Sequence, residues 1–130
     1  MFFKKSYITK SEKSPNISNN RKKILNSNYP NLIYLLNKRF KWMKRYTKDK
    51  KVIIELGSGN GCLKKVLKQK KILLTDIIKS PWIDKKVDML KVNLEKKFIN
   101  KVDVFIINHS LHHCANPSKC IDKMSKYLKK

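Results

Sequence analysis

Three glycines alternate in ELGSGNG, at Gly57, Gly59 and Gly61, directly after the apolar run Val52, Ile53 and Ile54. Removing each Cβ lets the chain turn sharply and lets a ligand lie against main-chain atoms. At the C-terminal end of a strand in a parallel sheet, such a turn is where a nucleotide-like ligand approaches the backbone. Asp76 stands 19 residues after Gly57 and closes a second apolar run, KILLTD, where a carboxylate can accept from both hydroxyls of a ribose. A phosphate-binding loop is excluded, because no Lys-Ser or Lys-Thr pair follows the glycines. A dinucleotide fingerprint is disfavoured, because its sixth place is Cys62 and not glycine.

Imidazole is the side chain that exchanges a proton near neutral pH, and the chain has it at His109, His112 and His113. His109 comes first after the apolar run VDVFIIN and is the candidate catalytic base, while His112 and His113 can equally pack or cap the next helix. His112, His113 and Cys114 are adjacent, but neighbours on one short segment rarely converge on one ion and no second ligand pair lies elsewhere, so no metal is expected. Cys62, Cys114 and Cys120 are odd in number and form no CxxC pair, which argues against a disulfide framework and for a reducing compartment.

The elements that must position these residues are legible as alternating patterns. Residues 1–28 read as a basic, polar leader without a sustained period, mobile or loosely docked, and residues 29–130 as one domain. Pro30 opens a helix running to near Tyr46, with Leu32, Leu35, Leu36, Phe40 and Met43 on its buried face. A strand ending in the glycine turn, a helix over Cys62–Lys70 and the strand KILLTD follow. Then come a weaker third strand over Lys86–Leu90 and a strong fourth over Val102–Asn108. Pro117 opens a last helix with Cys120, Ile121, Met124 and Leu128 on one face. Strands that read as continuous apolar runs and alternate with helices predict an α/β fold, a parallel sheet covered on both faces.

Charge qualifies the range of partners. The 130 residues carry 32 Lys and Arg against 9 Asp and Glu, a net charge of +23. Only Arg21, Arg39 and Arg45 are arginines, although the guanidinium fork is the better phosphate reader. An excess of Lys with Asn and Ile looks like an AT-rich coding bias, so nucleic-acid binding is expected to be weak and non-specific at most. No apolar stretch reaches the roughly 18 residues of a membrane span. MFFKKSYITK lacks the apolar core of a secretory signal, and a cytoplasmic protein is expected.

VIIELGSGNG, LLTD, VDML and DVFIINHSLHH, in that order, resemble the class I S-adenosylmethionine-dependent methyltransferases, particularly the small-molecule, type 11-like members whose fourth strand runs into a Leu-His-His segment. The resemblance covers about residues 50–130. It implies a Rossmann-like sheet of about four strands in the order 3-2-1-4, S-adenosyl-L-methionine as cofactor and a small-molecule methyl acceptor. Glu55 and the loop Gly57, Ser58, Gly59 and Gly61 would surround the methionine part of the cofactor. Asp76 would take the ribose hydroxyls, Asp88 would lie beside the adenine, and Asn108 and His109 would border cofactor and acceptor. The competing structural roles are a solvated strand-end acid for Glu55 and a turn cap for Asp76. Family members continue after the fourth strand with a Pro-Gly-Gly turn and three more strands, whereas this sequence ends at KYLKK. The expectation is therefore a sheet incomplete relative to the seven-stranded family fold, weak turnover, and self-association through the apolar edge Val102–Asn108. An RNA-binding or RNA-modifying protein is the alternative.

Overall fold

The computed structural model describes residues 16–26 and 29–130. Much of the expected leader, residues 1–15 and 27–28, lies outside the described residues. The described helices are α1 (Asn16–Leu25), α2 (Pro30–Phe40), α3 (Lys44–Thr47), α4 (Leu63–Leu67) and α5 (Pro117–Ser125). The strands are β1 (Ile53–Leu56), β2 (Ile72–Asp76), β3 (Lys85–Lys86) and β4 (Val104–Ile107). They form one parallel sheet in the order β3-β2-β1-β4, the α/β, Rossmann-like arrangement expected.

β1 is the centre, pairing Glu55 with Leu74 of β2 and with Ile106 of β4. Alternation along the strands splits the core in two. Ile53, Ile72, Leu74 and Ile106 pack against Phe40, Met43, Leu63, Val66 and Leu67 from the helices on one side. Ile54 and Leu56 pack on the other side with Val87, Val92, Leu94, Val102 and, from α5, Cys120. Glu55, two residues from Ile53, therefore faces the α2 and α4 side.

Several boundaries differ from the sequence-based expectation. Within residues 16–25 of the expected leader a helix forms, and its Ile24 is buried. The helix after Pro30 is not continuous: a 3-10 turn, Lys41–Met43, separates α2 from α3. Residues three apart eclipse in that tighter turn, which suits the shared burial of Phe40 and Met43. Leu35 points outward at 62 % exposure, because Leu36 and Phe40 define the inward stripe. In α5, Cys120 is inward and Ile121, one helical step round, is 52 % exposed. The third strand is only Lys85–Lys86, one residue before the expected start, and it stops because Asp88 Oδ1 accepts from Leu90 N at 2.8 Å and curls the chain.

β4 is shorter than Val102–Asn108 and lies at the sheet edge. The start of that expected edge is not open: Val102 bridges Leu128, and Lys129 N donates to Val102 O at 2.9 Å. Asp103 secures the same corner, accepting from Lys51 N, Val52 N and Lys129 Nζ at 2.9, 2.8 and 2.5 Å. The Lys129 ammonium, first, and these backbone donors hold its carboxyl well below the usual range, at about 2. Among the described residues no helix is long and apolar enough to cross a membrane.

Candidate functional site

Parallel strands bring all their C-terminal ends to one side, and the sheet order reverses between β1 and β4, the place where open α/β sheets leave a crevice. A cavity of about 550 Å³ lies there. Glu55, Gly57, Ser58, Gly59, Asp76, Asp88, Asn108 and His109 all line it, so the structure brings together every expected site residue except Gly61. Gly61 stands behind the loop, against Trp82 and Leu74.

The three glycines do different work. A Cβ on Gly57 would lie 2.5 Å from Ser110 Cβ, and one on Gly61 would lie 2.6 Å from the Trp82 ring. Those two permit close approach of protein to protein. Gly59, with φ +50°, has nothing within 4 Å of its Cβ position, so the space beside its Cα is free, while its N–H and C=O are spent on Asp76 and Trp82. Gly57→Ala should lower stability by about 2 kcal/mol, from the Ser110 overlap and from φ +71°, and Gly59→Ala by about 1 kcal/mol. Chemical denaturation of the two variants checks the order, and a milder loss at position 57 would contradict the packing account.

Glu55 is only 2 % exposed, which removes the solvated-acid reading. Its Oε2 has no hydrogen-bond partner among the described residues. Burial, reinforced by the nearby Asp76 carboxylate and opposed by Ser58 and Lys64, pushes its pKa up to about 8. At neutral pH Glu55 is therefore mostly protonated, and it gains most from ionising beside an incoming cation.

Asp76 is already engaged. Its Oδ2 accepts from Gly59 N at 2.8 Å and its Oδ1 from Ile78 N at 3.0 Å, so it clamps the glycine loop to the end of β2. A carboxylate offers about four acceptor positions, which leaves capacity toward the cavity. Ser58 spends its hydroxyl internally, accepting from Thr75 N at 3.1 Å and donating to Glu55 O at 3.4 Å. Asp88 makes the Asx turn to Leu90 while facing the cavity. Ser110, which the sequence did not single out, donates to Leu56 O at 2.9 Å and ties the loop after β4 to the end of β1.

His109 has φ +55° and meets Arg39, whose Nη2 lies 3.1 Å from Nδ1 and also contacts Nε2. The His112 and His113 rings lie against each other, tilted by 41° with centroids 3.9 Å apart. Among the described residues no group of His, Cys, Asp or Glu gathers as a metal site requires. The three cysteines are free and buried, and burial pushes the Cys62 thiol up.

The helix α1 closes one side of the site. Arg21 Nη1 donates to Asn60 O at 2.7 Å, and its guanidinium lies 4.8 Å from the centre of the Trp82 ring. Trp82 Nε1 in turn donates to Gly59 O at 2.8 Å. Lys65 Nζ reaches the last carbonyls of α1, Ile24 O at 3.2 Å and Leu25 O at 2.6 Å, as a cation at a helix C-terminus does. Spacing of Ile17, Arg21 and Ile24 on one face was the available signal, but a face with an arginine at its centre does not register as apolar. Trp42, by contrast, is exposed on the outer side of the α2–α3 segment, away from the cavity.

In comparisons with known proteins, no family model, no curated protein and no solved structure matches the chain.

Proposed function

We propose that this chain binds S-adenosyl-L-methionine in the cavity at the strand ends and transfers its methyl group to a small-molecule acceptor. The observation that carries the proposal is Glu55, a buried acid with an unpartnered oxygen, lining the same cavity as the glycine turn. A ligand that is cationic at one end and a nucleoside at the other matches it, since Asp76 and Asp88 supply acceptors further along the same cavity. When bound, the cofactor supplies an electrophilic methyl group that an acceptor atom attacks in line with the departing sulfur. Glu55 would hold the cationic amino-acid end, Asp76 would orient the ribose, and the loop would exclude water from that face. His109 stands at the opposite border, where it would receive the acceptor's proton. A cytoplasmic location and self-association along the outer side of β4 belong to the same reading.

Thermal unfolding with added ligands tests it. S-adenosylhomocysteine should raise the melting temperature in a saturable way, by mass action on the folded state, and NAD at equal concentration should not. An equal rise with NAD, or none with S-adenosylhomocysteine, would overturn the proposal.

A second reading, RNA as partner or acceptor, is favoured by one surface. Tyr34, Lys38, Trp42 and Tyr46 recur every four residues along the outside of the α2–α3 segment, and their aromatic members are exposed. Lys38 Nζ lies 5.8 Å from the Tyr34 ring centre, Arg45 stacks 4.7 Å over Tyr46, and the Trp42 and Tyr46 centroids are 5.9 Å apart. Cations beside flat rings suit single-stranded nucleic acid, where stacking contributes about 1–3 kcal/mol per base. On the small-molecule reading, RNA binding is weak, insensitive to sequence and steeply lost as salt rises. Filter binding against salt separates the two: a complex that survives physiological salt and weakens at least tenfold in Trp42→Ala would favour RNA.

A further inference from the structure

Positive charge in this chain is carried by 29 lysines and three arginines, yet among the described residues no lysine lines the cavity. Arginine stands there instead. Arg21, beside the cavity, is committed to Asn60 and Trp82, as described. Arg39, in the last turn of α2, stands exposed at the mouth and packs over Phe40, with its guanidinium 5.6 Å from the ring centre.

Charge inside the cavity is divided. Glu55 lies in β1, Asp76 ends β2 and Asp88 follows β3, whereas Arg39 and His109 meet past the end of β4. Among the described residues Arg39 forms no ion pair with a carboxylate, and its polar partner is the His109 imidazole. A guanidinium has donors only and an imidazole offers at most one acceptor, so of the two ring nitrogens that Nη2 touches only an unprotonated one can bond it. That arrangement leaves a planar two-pronged donor at a ligand-sized opening, held by an imidazole where a carboxylate or phosphate would bond it more strongly.

We propose that Arg39 recognises an anionic group, a carboxylate or a phosphate, on the small molecule that enters the β4 side of the cavity. The inference rests on reading that molecule as the methyl acceptor. When Arg39 turns to the anion, the His109 nitrogen it covered is left with its lone pair directed at the acceptor. The cavity then takes a cationic ligand end at Glu55 and an anionic one at Arg39, opposite in charge to the groups that meet them.

Calorimetry of the full chain, with and without S-adenosylhomocysteine, can use benzoate, phenyl phosphate and neutral benzamide as probes. At least one anion should bind ten times more tightly than benzamide and shift the NMR signals of the Arg39 side chain and the His109 ring. Which of the two anions binds identifies the group. Arg39→Ala should abolish the preference, Arg39→Lys should keep part of it, and Lys41→Ala, which removes an exposed charge outside the cavity, should keep it all. Binding of S-adenosylhomocysteine should be equal in all of these variants. Equal binding of the three probes, binding of none, or an equal loss in Lys41→Ala would overturn the inference. A preference that persists while S-adenosylhomocysteine fails to bind would uphold the anion site and remove the methyl-transfer reading.

Discussion

Glu55→Gln should flatten the dependence of stability on pH. In the parent chain the carboxyl titrates near its ordinary 4.5 when unfolded and at about 8 when folded, because burial disfavours the anion. Below pH 4.5 both states are protonated and the residue carries no ionisation penalty. Between 4.5 and 8 the unfolded state holds fewer protons than the folded one, so stability falls as pH rises, and above 8 the penalty is complete. At about 1.4 kcal/mol per unit, the fall across that window is on the order of 4–5 kcal/mol. The glutamine amide does not titrate, and any donor it leaves unpaired costs about 1–3 kcal/mol at every pH. The variant should therefore be no more stable than the parent at pH 4 and clearly more stable at pH 8. Denaturant unfolding at the two pH values measures this, and parallel curves for parent and variant would show that Glu55 is ionised in the folded chain.

Asp76→Ala has the second large effect, and it falls on binding and on the loop together. The substitution removes acceptors from Gly59 N and Ile78 N, so the glycine turn loses its tie to β2. It also removes the acceptor proposed for the ribose hydroxyls. Hydrogen bonds to a charged acceptor contribute about 1.5–3 kcal/mol, so affinity for S-adenosylhomocysteine should fall at least tenfold. Asp76→Asn retains one carbonyl oxygen and can keep the Gly59 bond while losing the charge. If the ribose role holds, the asparagine variant should protect the Gly59 amide from hydrogen exchange like the parent and still bind the ligand more weakly. Unchanged affinity in both variants would reduce Asp76 to a loop clamp.

The legible parts of the molecule are those where one local pattern suffices. Ile53 and Ile54, then Ile72, Leu73 and Leu74, then Val104 to Ile107 are runs without an apolar–polar alternation, as strands covered on both faces require, and each proved to be a strand. The glycine turn and Asp76 could be placed because they end such runs. Less legible was anything decided by partners distant in sequence. Arg21 in α1 acquires its role only from Asn60 and Trp82. Leu35 and Leu36 are indistinguishable by type, and the sheet selects one of them. Whether the Asp76 oxygens face a ligand or a backbone N–H depends on where Gly59 lies, which spacing alone does not state. The contact of Arg39 with His109 joins residues 70 apart and had no local signal.

Titration calorimetry with S-adenosyl-L-methionine at pH 7, repeated in two buffers of different ionisation enthalpy, tests the central claim most directly. A carboxyl with a pKa of about 8 is mostly protonated at that pH and must lose its proton to pair with the incoming cation. The expected result is saturable binding of one cofactor per chain with release of close to one proton, a release that disappears in Glu55→Gln. Absence of saturable binding, or binding with the same heat in both buffers, would contradict the account.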